Sequence, residues 1–261
     1  MALRLTFLGT GTSAGVPQIG CTCPTCTSGD PRDRRRRTGL YVQSPGTAFV
    51  VDTPPEFRLA CLELNVVDVR ACLLTHVHMD HVAGFDDLRR FNTLNGRKVL
   101  PCYASQETID AMRRLFPYIG TRPDKQGLYR PLIAFRRAAR AFRLGDVRVT
   151  PLPVVHGGTP TVGYLFEHAG KRVAYVSDCC GLPPRTLAKV RGVDVMVLDC
   201  LRGTRPHPTH LTLDRALDYM REIAPRRGFF IHMCHDVRHA EFEARLPRRI
   251  RLTYDGLRIR V

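Results

Sequence analysis

Apolar residues in this chain come in short runs broken by Gly, Pro, Asn and Asp, and few stretches carry the i, i+3, i+4 spacing of an amphipathic helix. The runs predict strands over residues 3–8, 39–42, 48–51, 71–74, 98–102, 147–155, 162–166, 172–177, 193–198, 228–231 and 258–261. Helical spacing is clearest over 106–116, with Ser105 placed to cap it, and over 212–223, where Leu213, Ala216, Leu217 and Met220 form one apolar face. Shorter helices are expected over 56–64, 185–190 and 239–246. Residues 120–130 have no periodicity and read as a loop, either a lid over a site or a plain connection. No repeat or low-complexity linker divides the pattern, so residues 1–261 are expected to form one layered α/β or β-rich domain.

Composition narrows the setting. With 44% hydrophobic residues there is material for a core, and no apolar run reaches the roughly 18 to 20 residues needed to span a bilayer. The N-terminus lacks the apolar stretch and small-residue cleavage site of a secretory signal, so a cytoplasmic location with no membrane partner is expected. In that compartment ten cysteines point to metal binding or buried reduced thiols rather than disulfides. The net charge of +16, with the run Arg34-Arg35-Arg36-Arg37, suits an anionic substrate or nucleic acid. A solvated arginine-rich surface accounts for it as well, and nucleic acid is kept as the less favoured partner.

The chemistry concentrates in His76-Val77-His78-Met79-Asp80-His81, directly after the run Ala71-Cys72-Leu73-Leu74. Polar ligands packed this densely beside a core are unfavourable unless something binds them. In extended backbone His76, His78 and Asp80 face one way, and His81 falls at the start of a helix, so the block can serve two ions. Three further candidates, His156, Asp178 and His232, each follow a β-rich run, which gathers strand ends onto one rim. A carboxylate such as Asp178 can bridge two cations, with neutral imidazoles in the terminal positions. Separately, Cys21, Cys23 and Cys26 form a knuckle within residues 20–27 that suits structural zinc. His235 is the candidate fourth ligand and Cys234 the fallback. His210, ahead of the 212–223 helix, is assigned as general acid, with a capping or surface role as its alternative and His207 as second choice.

Together with Gly9-Thr10-Gly11-Thr12-Ser13, these motifs resemble the metallo-β-lactamase fold, and within it the PhnP-like phosphodiesterases, over almost the whole chain. The resemblance implies a four-layer αββα sandwich with the metals at one sheet edge. It implies that His76, His78 and His156 hold one divalent ion, that Asp80, His81 and His232 hold the other, and that Asp178 bridges them, the ions being zinc or manganese. Asp52 would orient a ligand histidine, its alternative being a turn-forming Asp before Pro54-Pro55. The subgroup also has a histidine matching His210 as acid and a knuckle matching this one. The implied reaction is hydrolysis of a small, anionic, cyclic phosphodiester of phosphoribosyl or nucleotide type, by a chain that can form a homodimer. Where the best-known members have Asp-Ala-Gly, this chain has Asp52-Thr53-Pro54-Pro55-Glu56, which bears on the substrate. Rival readings are a tRNA 3′-processing nuclease, for which no glycine- and proline-rich arm is visible, a relative of the pyrroloquinoline quinone pathway protein, and a non-catalytic nucleic-acid binder.

Overall fold

A computed structural model describes residues 2–122 and 129–261. Two seven-stranded sheets lie face to face. The first contains β1 (Arg4–Gly9), β2 (Gly39–Gln43), β3 (Ala48–Val51), β4 (Ala71–Leu73), β5 (Leu100–Ala104), β6 (Ile133–Arg137) and the last strand, β14 (Arg258–Arg260). Their order across the sheet is β14-β1-β2-β3-β4-β5-β6, and β3 to β6 run parallel. The second contains β7 (Phe142–Leu144), β8 (Val147–Val154), β9 (Thr161–His168), β10 (Lys171–Val176), β11 (Val195–Asp199), β12 (Arg227–Ile231) and β13 (Ile250–Leu252). It is ordered β13-β12-β11-β10-β9-β8-β7, with β10 to β13 parallel.

Strand alternation builds three cores. Phe49 and Val51 of β3, Tyr175 of β10 and Val197 of β11 point into the space between the sheets. Their neighbours Val50, Ala174 and Leu198 point outward onto helices. Strands covered on both faces show as continuous apolar runs, which is why they were conspicuous in the sequence. Helices α1 (Phe57–Glu63), α2 (Met79–Val82), α3 (Leu88–Leu94) and α4 (Gln106–Leu115) cover the first sheet. The second is covered by α5 (Pro184–Val190), α6 (Leu213–Ile223) and α7 (His239–Glu243). The result is the αββα sandwich that the resemblance implies.

Sequence and structure part in specific places. Three unpredicted strands, β6, β7 and β13, are all sheet edges. Edge strands pair on one side only, run short and carry charge, so Ile133-Ala134-Phe135-Arg136-Arg137 and Ile250-Arg251-Leu252 lack a continuous apolar run. Helix α3 is not legible in the sequence because its Arg-Arg-Phe-Asn-Thr interior hides the apolar face of Leu88 and Phe91. Helix α2 starts at Met79, with His78 at the N-cap position, rather than at His81. Asp80 is therefore helical, and the alternation expected for His76, His78 and Asp80 holds only for the first two. Of the loop over 120–130, residues 123–128 lie outside the described residues, while Gly120 and Leu132 are bridged at the start of β6. Among the described residues no helix is long and apolar enough to cross a membrane.

Candidate metal centre

Asp52 and the candidate ligands of the two-ion site sit at or beyond the C-terminal end of a strand. Asp52 follows β3, the His76–His81 block follows β4, His156 follows β8, Asp178 follows β10 and His232 follows β12. Parallel strands end on the same side, so their ends form one rim; the site lies there rather than along an edge strand. Asp52 and His232 are two of the six described non-glycine residues with positive φ, at 62° and 64°. Holding them in a sparsely populated backbone region requires the surroundings to fix them.

The side chains gather into two overlapping triads. His76 Nε2 lies 2.9 Å from His78 Nδ1, which lies 3.4 Å from His156 Nε2. Donor atoms of Asp80, His81 and His232 form a second group, each within 4.8 Å of the others. Asp178 stands between, with Oδ1 3.3 Å from His232 Nε2 and Oδ2 3.4 Å from His81 Nε2, and it also groups with His76.

The far nitrogen of each buried imidazole is held by an acceptor. His81 Nδ1 donates to Asp52 Oδ2 at 2.8 Å. The Thr75 hydroxyl donates to the same oxygen and accepts from His76 Nδ1 at 3.0 Å, so one carboxylate orients two imidazoles. His156 Nδ1 donates to the Thr209 carbonyl at 2.9 Å. His232 Nδ1 lies 3.1 Å from the Thr38 hydroxyl, which donates onward to the Gly11 carbonyl. With the proton fixed on Nδ1, Nε2 is left as a lone-pair donor aimed inward, as metal-binding histidines are arranged.

Two of the inward atoms have no protein partner that satisfies them. His81 Nε2 and Asp178 Oδ2 are buried and lack a hydrogen bond. A native core leaves few polar atoms in that state without a reason, and a divalent cation supplies one. The ionisation states of His232, Asp80 and Asp178 agree with this donor set. At His81 burial opposes the imidazolium, but Asp178 and Asp52 outweigh it, so His81 titrates well above its ordinary value and would give up that proton to a cation. Burial holds His232 down at about 3, so its imidazole is neutral. Burial opposes ionisation of Asp80, but the facing His81 imidazole, with Nε2 3.4 Å from Asp80 Oδ2, outweighs it, and the carboxyl lies below the usual range. Asp178 is likewise driven down against burial by His232 and His81.

One residue at the site went unassigned in the sequence. Asp199, the last residue of β11, is fully buried and accepts hydrogen bonds from the backbone N–H groups of Cys179, Leu201 and Leu211. Its Oδ2 lies 2.5 Å from His210 Nδ1. Burial pushes Asp199 up to about 6. Burial also opposes the His210 imidazolium, but the Asp199 carboxylate outweighs it, and His210 titrates above its ordinary value. His210 stacks on His232, with centroids 4.8 Å apart, and a ring nitrogen falls within 4.8 Å of donor atoms of His156 and Asp178. His207 lies beyond it, at 5.1 Å between rings. The signal for Asp199 was present in Val195-Met196-Val197-Leu198, an apolar run that ends on a carboxylate as the run before Asp178 does.

The cysteine knuckle closes on His235. Its Nδ1 lies 3.3, 3.7 and 3.6 Å from the Sγ atoms of Cys21, Cys23 and Cys26. A tetrahedron with Zn–S of about 2.3 Å and Zn–N of about 2.1 Å has S···N edges of roughly 3.6 Å, so the four side chains fit zinc. Cys234 is directed elsewhere, its sulfur accepting from the Asp236 N–H.

The Arg34–Arg37 run is taken up by the fold. Arg35 is buried, pairs with Asp33 at 3.1 Å and donates to the carbonyls of Cys234 and Val237, which bracket His235. Arg36 and Arg37 pair with Glu63 and Glu56. The run packs so closely on the first loop that a Cβ at Gly9 would come within 2.0 Å of the Arg37 carbonyl oxygen. The glycines of Gly9-Thr10-Gly11 thus admit the strap that carries Thr38 to His232.

The family described as Beta-lactamase superfamily domain matches residues 12–233, from the first loop to just past His232. The chain belongs to this superfamily. A crystal structure described as a new diphosphatase from the PhnP family is 36% identical and covers 100% of this chain and 98% of its own, with a TM-score of 0.91. With the donor sets above, this places the chain among the PhnP-like metal-dependent hydrolases of the metallo-β-lactamase fold. A Porphyromonas gingivalis protein named octanoyltransferase is 32% identical over 257 residues, 98% of this chain, but the chain spans only 51% of that protein. Coenzyme PQQ synthesis protein B of Methylobacterium sp. (strain 4-46) is 28% identical over 218 residues, 76% of this chain and 72% of that protein.

Proposed function

We propose that this PhnP-like hydrolase is a two-metal phosphodiesterase acting on a small anionic substrate, of cyclic phosphoribosyl or cyclic-nucleotide type. The observation that carries the reading is the Asp199–His210 pair beside the two triads, because an ester leaves as an alkoxide and needs a proton. His76, His78 and His156 would hold one cation, Asp80, His81 and His232 the other, with Asp178 shared. Bound there, divalent cations lower the pKa of water from about 16 toward 7 and neutralise phosphate oxygens. Imidazole and carboxylate donors accept zinc or manganese, whereas three thiolates and an imidazole at the knuckle favour zinc.

The protein's own part is orientation and proton delivery. Asp52, Thr75, Thr38 and the Thr209 carbonyl hold the Nδ1 atoms and so aim the Nε2 atoms inward, and Asp199 favours the protonated form of His210 and holds its ring beside the rim. A cytoplasmic setting suits this chain, whose ten cysteines are all free.

A second reading is cleavage of a diphosphate bond, favoured by the description of the 36% identical structure. Its leaving group is a phosphate, a weaker base than an alkoxide, so His210 would matter less. Assays of bis(p-nitrophenyl) phosphate, cyclic ribose phosphates, a dinucleoside diphosphate and precursor tRNA, with zinc or manganese, separate the readings. Turnover of the cyclic phosphate should fall roughly 10²- to 10⁴-fold in His210→Ala, and turnover of bis(p-nitrophenyl) phosphate far less, because its leaving group needs no proton. Equal losses on both, or no turnover of any phosphodiester, would contradict the proposal; the second outcome would point toward a biosynthetic role.

A further inference from the structure

Half of the net charge sits in one flank of the molecule. The described residues 113–122 and 129–148 hold nine Arg against one Asp, +8 of the chain's +16 in 30 of its 261 residues. These described residues lie at the end of α4, on β6 and β7, which are the open edges of the two sheets, and at the start of β8. Arg136 and Arg137 end β6, Arg140 lies in the link, Arg143 is on β7 and Arg148 on β8, and all five are exposed. Arg148 faces Glu167 at 3.5 Å, but among the described residues Arg137, Arg140 and Arg143 make no hydrogen bond or ion pair. The flank's described acid, Asp146, is engaged by Ser44 and His168. Arg143 and Arg148 are direct cross-strand partners, a like-charge pairing that is unfavourable until an anion bridges it.

Two further observations say what kind of anion fits. Because β3 to β6 are parallel, Arg137 ends on the same rim as Asp52 and His76, two strands from β4 and so roughly 10 Å across the sheet. Along β6 runs a groove of about 470 Å³ lined by Arg113, Phe116, Ile119, Ile133 and Phe135. A row of cations beside an apolar, partly aromatic groove is how proteins bind single strands, whose unpaired bases can leave the backbone to stack. Guarding a sheet edge against aggregation takes a charge or two per strand and does not account for this concentration.

We infer that the β6–β7 flank binds a single-stranded nucleic acid, its phosphates on Arg137, Arg140 and Arg143 and its bases toward the groove. The inference does not rest on the proposed reaction, because binding is read without turnover. The test is fluorescence anisotropy of labelled 12-mer oligo-U and oligo-dT, and of a 12-mer duplex, over a salt series. A triple variant, Arg137→Ala/Arg140→Ala/Arg143→Ala, is compared with a charge-matched control, Arg185→Ala/Arg221→Ala/Arg248→Ala, altered at exposed positions elsewhere. The flank variant should bind single strands at least tenfold more weakly, with a log–log salt slope shallower by about two, as expected when three contacts to single-strand phosphates are lost. The control should stay within twofold of the parent, and both variants should keep the parent's hydrolysis of bis(p-nitrophenyl) phosphate. Equal losses in both variants would reduce the effect to bulk charge and overturn the inference. So would duplex binding as tight as single-strand binding, preference for vesicles of anionic lipid, or no binding at 50 mM salt.

Discussion

Two dense polar runs lie some forty residues apart in the chain, and they meet opposite fates. In Arg34–Arg37, Arg35, Arg36 and Arg37 find carboxylates within the protein, and Arg35 also caps two carbonyls. In His76–His81 the outward atoms are satisfied, while inward ones such as His81 Nε2 are buried without a partner. The first run is a strap and the second a donor set. Density of polar residues does not separate them, nor does a leftover buried atom, since Arg35 Nε and Arg36 Nη1 also lack a partner. What does is convergence, because the second run aims lone-pair donors at one another within 4.8 Å.

The strongest challenge to this contrast is Asp80→Ala. It removes one donor of the second triad and should reduce turnover at least a thousandfold, while the circular dichroism spectrum stays unchanged. Residual activity within tenfold would remove Asp80 from the centre. Next in size is Arg35→Ala, which leaves Asp33 buried without its partner. Breaking such a pair costs about 3–5 kcal/mol, against less than about 0.5 kcal/mol for exposed Arg34→Ala, as read from denaturant midpoints. Equal effects would mean that the run is surface after all.

A third variant probes the acid. His210 must be protonated to act, so kcat/KM should fall as pH rises through its pKa, which Asp199 holds above the ordinary histidine value. Asp199→Asn removes that support and should move the alkaline limb to lower pH, with the limb position read from full pH profiles. An unmoved limb would assign the proton to another group. The smallest expected effect on activity comes from Cys23→Ser, which should lower the melting temperature by several degrees with only a modest change in kcat.

Much of this was legible in the sequence because burial on both faces makes parallel strands read as apolar runs, and because ligands follow those runs. Asp178 after β10 and His232 after β12 show the rule at work. What stayed hidden depends on contacts across the fold. Thr38 meets His232 across 194 residues, and Thr75 owes its role to Asp52, so neither hydroxyl carries a local signature. Asp199 follows the same rule, but its role depends on His210, which lies on a separate loop. The edge strands β6, β7 and β13 lacked a signal because half of their environment is water.

The central claim is that the rim holds two cations and the knuckle one. Metal content per chain, measured by plasma mass spectrometry on the parent, Asp178→Asn and Cys23→Ser after equilibration with zinc, tests it most directly. The account requires the first variant to lose rim metal and keep the knuckle ion, and the second to do the reverse. The same metal content in all three proteins would contradict it.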